Sequence, residues 1–222
     1  MLQFKNINAH IQGAQVLRDV NITLPSSATA SIIGRNGAGK TTLFRTLMGI
    51  ITPTSGTIQF EDNELTSVDA YLRPGFGIGY SPEDRRIFRS FTVEQNLELP
   101  VKAIGLPPQE VQNRLEHVYD ILPELKEMRQ RRGGTVSGGQ GKIIALGRAL
   151  MIGKKLVLLD EPFQGLAPVL AHRYAEVLRD VRDKNPATTL IVTESSPDLL
   201  RGFGDQTYQI ERGEVSLVGS NI

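Results

Sequence analysis

Hydrophobic and polar positions alternate with two different periods along the first third of the chain. A strand begins near Leu2, and residues 16–24 alternate apolar and polar side chains as a half-buried strand does. A short apolar run over 28–33 stops at Gly34, and residues 41–48 then carry apolar side chains at helical spacing. The pattern predicts a glycine-rich turn between a buried strand and a helix.

The remaining periodic segments continue this alternation of strands and helices. Apolar runs predict strands over 57–60, 77–80, 155–159 and 189–192, and a stripe over 170–181 predicts a helix. Strands that alternate with helices indicate a parallel, three-layer α/β core.

A polar, helical section interrupts this core. Within this section, one apolar face at helical spacing consists of Val111, Leu115, Val118 and Leu122. This face predicts a helix. We therefore expect a single domain in which residues 1–84 and 151–222 form the α/β core and residues 85–150 form an inserted helical subdomain.

Composition narrows the possible partners. The 222 residues are 40% hydrophobic, which is ample for one packed core, and 25 Lys and Arg against 24 Asp and Glu give a formal charge of +1. Such a balance argues against nucleic acid as the main partner.

The chain has no cysteine, so disulfides and zinc–thiolate sites are excluded. No secretory signal and no apolar run of ~20 residues is visible, so we expect another subunit to supply any membrane-spanning part.

The glycine-rich turn fits the phosphate-binding pattern G-x-x-x-x-G-K-[ST]. Its glycines let successive backbone N–H groups point at phosphate oxygens, and the following helix adds the positive end of its dipole. Lys40 would bind the β- and γ-phosphates and Thr41 would bind Mg²⁺. The predicted nucleotide-binding residues here are Gly34, Arg35, Asn36, Gly37, Ala38, Gly39, Lys40, Thr41 and Thr42.

Two acids end the buried strand over 155–159. Ligands of open α/β sheets sit at the carboxyl ends of strands, so Asp160 is placed to hold Mg²⁺ and Glu161 to polarise an attacking water. Together with the phosphate loop, these acids predict a nucleotide hydrolase. Kinases, GTPases and motor ATPases share these features.

A segment shortly before Asp160 narrows the class. Val136 precedes Ser137, Gly138, Gly139 and Gln140, and a serine cap with two glycines exposes N–H groups at a helix N-terminus. This segment resembles the signature of the ABC (ATP-binding cassette) family. The resemblance implies that these residues cover the γ-phosphate held by a second subunit, in a head-to-tail dimer with two bound ATP molecules. A generic kinase or GTPase would lack it.

The resemblance extends over nearly the whole chain, and within the family it is closest to the ATPase subunits of branched-chain amino acid transporters. It implies a P-loop nucleotide hydrolase fold with a RecA-like parallel core and an N-terminal antiparallel β subdomain. By position, Glu83 stands for the Q-loop glutamine near Mg²⁺, 164–168 for the D-loop, and Phe88 and Phe91 for the groove of the membrane subunit's coupling helix. The short stretches that carry it are 79–88, 91–97, 147–151 and 165–168.

Several positions depart from the family pattern. Ile11 stands where an aromatic residue stacks on adenine, so the stacking contribution is lost. Glu83 replaces the amide with a carboxylate, which accepts but does not donate. Ser195 stands where most members have a histidine switch, which predicts slow hydrolysis carried mostly by Glu161. Val136 replaces leucine, and Gly141 lowers helix propensity by ~1 kcal/mol.

The sequence therefore predicts an ATPase that uses ATP and Mg²⁺ to power uptake of amino acids or similar small polar solutes. Expected partners are a second identical or different ATPase subunit, integral membrane permease subunits and an extracytoplasmic solute-binding protein, with the chain on the cytoplasmic face of the membrane. Two alternatives stay open. One is a catalytically weak partner in a heterodimer, and the other is a soluble ABC ATPase without a transport role.

Overall fold

The structure is a computed structural model that describes residues 1–196, 198–200 and 202–220. Two sheets and a set of helices make up this part of the chain. The elements in chain order are β1 (Leu2–Ile11), β2 (Ala14–Leu24), β3 (Thr29–Ile33), α1 (Lys40–Leu47), β4 (Ser55–Phe60), β5 (Asn63–Glu64), β6 (Ile78–Ser81), α2 (Val93–Ala103), α3 (Pro108–Ile121), α4 (Pro123–Glu127), α5 (Gly138–Ile152), β7 (Leu156–Asp160), α6 (Pro168–Lys184), β8 (Thr189–Glu194), β9 (Gln206–Glu211) and β10 (Glu214–Ser220).

The central sheet has the order β10-β9-β3-β8-β7-β6, and all neighbours pair in parallel except β10, which is antiparallel to β9. Strands β7 and β8 are buried along their whole length, as expected for a parallel sheet covered on both faces. The register places Ile33 opposite Glu194 and Asp160 opposite Thr193. The carboxyl ends of β3, β8 and β7 therefore lie side by side, and the predicted α/β fold is confirmed.

The antiparallel sheet has the order β2-β1-β4-β5. Helix α1 lies between it and the central sheet, with Leu43, Phe44 and Leu47 at most 1% exposed. Alternate residues of β7 face opposite cores: Leu156 and Leu158 pack with α1, whereas the residues between them pack with the helices of the other layer. The central sheet thus separates two hydrophobic cores.

Helices α2, α3 and α4 pack with α5 around the second core. Close approach at Gly147 supports this packing, because a Cβ atom there would lie 2.7 Å from Leu125 Cδ1. Helix α5 continues to Ile152 without a break and reaches the central sheet at β6. The predicted subdomain boundary at residue 150 lies inside this helix and stays a prediction. None of the described helices has the length and apolar character of a bilayer span.

Arg73 forms hydrogen bonds with the C-terminal end of α1. Its side chain is 1% exposed, and its guanidinium donates to the carbonyls of Thr46, Leu47 and Val68. The bonds to Thr46 and Leu47 reach carbonyls in the last turn of α1, where carbonyls lack the usual intrahelical partner, and the Thr46 carbonyl also accepts from the Gly49 amide. Burial lowers the pKa of Arg73.

We expect Arg73→Met to lower the free energy of unfolding by about 2–4 kcal/mol, because the apolar stem is kept while the carbonyls of Thr46, Leu47 and Val68 each lose a hydrogen bond from the guanidinium. Urea unfolding checks this. Arg173→Met is the matched control, since Arg173 is 69% exposed and its ion pair with Glu124 spans 3.6 Å; we expect a change within about 0.5 kcal/mol. Equal losses in both variants would contradict the assigned role of Arg73.

Candidate functional site

The loop between β3 and α1 has the geometry of an anion cradle. Gly37 and Gly39 have φ values of 80° and 117°, a region that favours glycine. A Cβ atom at Gly34 would collide with the carbonyl oxygen of Ile210, so the loop also needs glycine at its start. No side chain caps the N-terminus of α1 and its first turn has no acidic residue. Its free N–H groups therefore fit a bound phosphate chain.

Lys40 is held at the centre of this loop. Its Nζ donates to the carbonyls of Gly34 at 2.5 Å and Arg35 at 3.1 Å, and it lies 2.9 Å from Glu161 Oε1. The two charged side chains are 4% and 5% exposed. A buried ion pair is tolerated when hydrogen bonds satisfy its remaining donors and acceptors, and the two carbonyls do so for Lys40.

Asp160 is 1% exposed at the end of β7. Its carboxylate accepts hydrogen bonds from Thr193 Oγ1 at 2.8 Å and from the hydroxyl of Tyr80 at 3.1 Å, and a third hydrogen bond joins it to Thr41. Burial raises the pKa of Asp160, and these three bonds oppose the rise. The bonds orient the carboxylate beside the hydroxyl that was predicted to bind magnesium.

Glu161 follows in a strained backbone conformation with φ of 47°. Its amide donates to the carbonyl and to the hydroxyl of Thr193, both at 3.1 Å. Its carboxylate accepts from Ser195 Oγ at 3.2 Å on the oxygen that does not face Lys40. Both oxygens of Glu161 are therefore engaged and their direction is fixed.

A cavity of about 310 Å³ joins these groups. Its lining includes Gly37, Lys40, Thr41, Glu83, Glu161 and Gln164. Residues from separate segments, which were predicted to bind phosphate, to bind metal and to polarise water, thus surround one cavity. Asp160 is hydrogen-bonded to Thr41 in the lining of this cavity.

The oxygen ligands available suit magnesium. Mg²⁺ is usually held through one or two carboxylates together with substrate phosphates, rather than by a cage of protein ligands. Glu83 and Thr41 line the cavity and supply such oxygens, and Asp160 is hydrogen-bonded to Thr41. Among the described residues, no group of three or more His, Cys, Asp or Glu side chains is placed to hold a metal ion.

The signature residues 137–140 lie outside the lining of the phosphate cavity. Ser137 caps α5 by accepting from the Gln140 amide at 3.2 Å, and the Gln140 side chain accepts from the Ser137 amide at 3.0 Å. Ser137, Gly139 and Gln140 line a separate groove of about 290 Å³ with Leu166 and Leu170. This groove shares no lining residue with the phosphate cavity, and Gly138 beside it is exposed.

Ile11, predicted to contact adenine, ends β1 with 38% exposure. Cavities beside the phosphate loop are lined instead by Gln15, Val16 and Arg18 of β2 together with Gly37 and Ala38, and Ile11 is not among their linings. The contact between Ile11 and adenine stays a prediction.

Sequence reasoning missed Tyr80, Thr193 and Glu194, which all surround the two acids. Their only sequence signal is position, because each lies near the carboxyl end of a strand in the parallel sheet. Glu194 is 4% exposed and accepts from the Phe163 amide at 2.9 Å. Burial, reinforced by the nearby Glu161, raises the pKa of Glu194 to about 7, although the Phe163 bond and Lys142 oppose the rise.

Residues 17–164 match the sequence model of the ABC transporter family. BraG, a high-affinity branched-chain amino acid transport ATP-binding protein of Pseudomonas aeruginosa, is 34% identical over 97% of this chain and 91% of its own. LivF of Archaeoglobus fulgidus, a probable protein of the same kind, is 30% identical over 99% and 92%. LptB of Escherichia coli strain K12, the ATP-binding protein of a lipopolysaccharide export system, is 32% identical over 87% and 84%.

Solved structures agree with these relatives. The ADP conformation of MJ1267, an ATP-binding cassette of an ABC transporter, superposes with a TM-score of 0.81 at 27% identity, covering 97% of this chain and 89% of MJ1267. The dimeric post-hydrolysis state of the cassette MJ0796, bound to ADP and phosphate, has a TM-score of 0.83 at 21% identity, covers 97% of each chain and supports the fold alone.

The raised pKa of Glu194 predicts a pH-dependent stability. Its ordinary value is 4.5, so between 4.5 and about 7 the folded chain binds a proton that the unfolded chain has lost, and stability falls as pH rises. Glu194→Gln removes this loss and keeps an acceptor for Phe163. We expect its free energy of unfolding, relative to the unmodified chain, to rise by about 2–3 kcal/mol from about pH 4 to about pH 8. Denaturant unfolding across this range measures it. Parallel curves for the two proteins would contradict the prediction, and Glu176→Gln, at an exposed position on α6, is the control.

Proposed function

Because this chain belongs to the ABC transporter family and is an ATPase of that family, we propose that its hydrolysis of ATP drives uptake of an amino acid or a similar small polar solute through separate membrane subunits. The observation that carries the ATP chemistry is the convergence of Lys40, Thr41, Glu83 and Glu161 on one cavity. The solute class is supported by BraG and LivF, which are named for branched-chain amino acid transport. LptB, named for lipopolysaccharide export, makes export the competing direction.

In this proposal the phosphate loop binds the triphosphate. The N–H groups of this loop and of the first turn of α1 would donate to the phosphate oxygens, apart from those of Gly34 and Ala38, which already donate to the carbonyls of Glu194 and Arg35. Lys40 would bind the β- and γ-phosphates through its charge. Thr41, Asp160 and Glu83 would hold a magnesium ion, which when bound neutralises charge on the phosphates. Binding of the phosphates gives Lys40 new anionic partners in place of Glu161, and so releases one oxygen of that carboxylate.

Glu161 is then the general base. Its carboxylate orients a water molecule toward the γ-phosphorus and accepts its proton as the bond to the bridging oxygen breaks. Ser195 donates to the other carboxylate oxygen and keeps Glu161 aimed at the cavity. A hydroxyl supplies this orientation without the positive charge of an imidazolium, which is why we expect slow turnover.

A second ATPase subunit completes the site. Ser137, Gly138 and Gly139 are not part of the lining of their own phosphate cavity, and the Ser137 amide is already bonded to Gln140. The N–H groups of Gly138 and Gly139, together with the Ser137 hydroxyl, would cover the γ-phosphate bound by a partner cassette. Differential affinity of ATP for the closed pair would drive the membrane subunits. An extracytoplasmic solute-binding protein and a position on the cytoplasmic face of the membrane complete the proposal.

An aromatic pair supports docking to a membrane subunit. Phe88 is 44% exposed and stacks on Phe91 with ring centroids 5.5 Å apart. The guanidinium of Arg148 lies 5.5 Å from the Phe88 ring and donates to the Arg86 carbonyl. Exposed aromatic rings held in this way are typical of protein contact sites.

A second candidate is a catalytically weak subunit of a heterodimer. Two observations favour it: the half-exposed Ile11 offers adenine no aromatic ring, and Ser195 gives Glu161 only a hydroxyl. In that case Ser137–Gln140 would complete the partner's site while the chain's own site binds ATP with little turnover.

Glu161→Gln separates these candidates. For the first, we expect ATPase activity to fall by at least ~10²-fold because the base is lost, while ATP binding persists and an ATP-dependent dimer accumulates. Phosphate release and light scattering measure the two effects, with Glu127→Gln, at an exposed position, as the control. Turnover in the Glu161→Gln variant equal to that of the unmodified chain would rule out Glu161 as the base. ATP binding without turnover or dimerisation in both proteins would favour the heterodimer.

Uptake is tested in cells whose only copy of the chain carries Glu161→Gln. We expect them to lose ATP-driven accumulation of radiolabelled branched-chain amino acids, because solute movement depends on the ATPase cycle. Unchanged accumulation together with altered surface lipopolysaccharide would instead support export. Cells carrying Glu127→Gln control for expression.

Ser195→Ala tests the orienting hydrogen bond. We expect the turnover number to fall by about 10-fold to 100-fold, the value of one hydrogen bond to a charged group, with a nearly unchanged KM for ATP. Steady-state kinetics measure both constants. Ser196→Ala, at the exposed neighbouring position, is the control, and equal activity of the two variants would argue against the proposed role of Ser195.

A further inference from the structure

A buried lysine on the signature helix contacts the backbone at two other parts of the site. We infer that Lys142 is a positioning residue that holds the backbone of Glu161 and of the loop at Glu83 in a fixed relation to α5. The inference rests on the proposed role of Glu161 as the general base.

The contacts of Lys142 reach both segments from a single ammonium group. Its Nζ donates to the Glu161 carbonyl at 2.9 Å and to the Glu83 carbonyl at 3.3 Å, and the residue is 6% exposed. Glu161 follows β7, Glu83 follows β6, and Lys142 lies about one turn after the cap of α5. Three segments far apart in sequence therefore meet at this nitrogen.

Lys142 completes the set of bonds around a strained residue. A non-glycine residue with φ of 47° persists only where its surroundings fix it. Thr193 binds the Glu161 amide, while Lys142 and the amide of Gln164, at 3.2 Å, bind its carbonyl. The peptide groups on both sides of the Glu161 Cα atom are thereby held, and with them the direction of the side chain.

Nearby carboxylates offset part of the cost of burying the Lys142 ammonium group. Burial lowers the pKa of Lys142 and Arg85 lowers it further, but the carboxylates of Glu194, Glu83 and Glu161 act in the opposite direction. The carbonyl contacts add directed acceptors for the ammonium protons. A neutral side chain of the same length would fill the space but would leave the Glu83 and Glu161 carbonyls without this donor.

The position of Lys142 also links the signature segment to the base of the same chain. Ser137 caps α5, and Lys142 follows within the rigid first turns of that helix. A displacement of the start of α5 by a partner's nucleotide would move the ammonium group relative to the Glu161 carbonyl.

Lys142→Met tests the inference because it keeps the stem and removes the ammonium group. We expect the turnover number to fall by about 10-fold to 100-fold, since a small misplacement of a reacting group has this effect, while the KM for ATP changes by less than about twofold. The matched control is Lys184→Met, since Lys184 on α6 also donates to a backbone carbonyl, that of Asp120 at 2.8 Å, away from the site. We expect unchanged kinetics for this control.

Chemical rescue separates the ammonium group from general packing. The chain has no cysteine, so Lys142→Cys creates a unique thiol. Alkylation of the thiol with 2-bromoethylamine forms a C–S bond, releases bromide and a proton, and restores an amine at the length of lysine. Alkylation with 1-iodopropane, which releases iodide and a proton, adds a propyl group whose terminal methyl takes the position of that amine. We expect activity to return with the amine and not with the propyl group. Equal activity of the two adducts would overturn the inference.

A readout that needs no turnover keeps the test decisive. Hydrogen–deuterium exchange in Lys142→Met should be faster in peptides covering 82–86 and 161–166, and unchanged in 189–194. Unchanged exchange in both segments together with unmodified kinetics would overturn the inference. If Glu161→Gln retains full turnover, the proposed base is wrong instead, and the exchange result then decides the role of Lys142 by itself.

Discussion

Parallel pairing of β3, β8 and β7 in one register is the constraint on which the site depends. It sets Ile33 beside Glu194 and Asp160 beside Thr193, so the phosphate loop and the acids leave the sheet at the same edge. From that edge the hydroxyl of Thr193 binds both the Asp160 carboxylate and the Glu161 amide. A shift of one residue in either pairing would turn these side chains to the opposite face of the sheet, and no local motif could compensate.

Strain and burial at this edge are stabilised by the surrounding structure. The left-handed backbone of Glu161, the buried pair of Lys40 with Glu161, and the carboxyl of Glu194 each cost free energy in isolation. Each is matched by directed bonds: Thr193 and Lys142 for the backbone, Gly34 and Arg35 for the lysine, Phe163 for Glu194. Such groups cluster where chemistry needs a fixed geometry, and this supports the functional proposal.

The sequence was sufficient for the fold class and for most of the candidate site, because both depend on local patterns. Continuous apolar runs predicted β7 and β8, and the glycine loop predicted the start of α1. The contacts of Tyr80 and Lys142 were not predictable, since they join segments about 80 and 20 residues apart whose approach is set by sheet order and helix packing. Helix α5 runs across the expected subdomain boundary at residue 150, and that boundary stays a prediction, because a continuous helical pattern does not reveal which core each turn meets.

Helix α1 is enclosed between two sheets, and this arrangement has a mechanical consequence. Leu43, Phe44 and Leu47 are clamped on both sides, and Arg73 anchors the helix end, so the nucleotide cradle is the stiff part of the molecule. The helices of the second core touch this stiff part mainly across the sheet and through α5. Helix α5 belongs to the second core and also contacts β6 and β7, so a movement of the helices of that core would reach the sheet that carries the phosphate loop through α5.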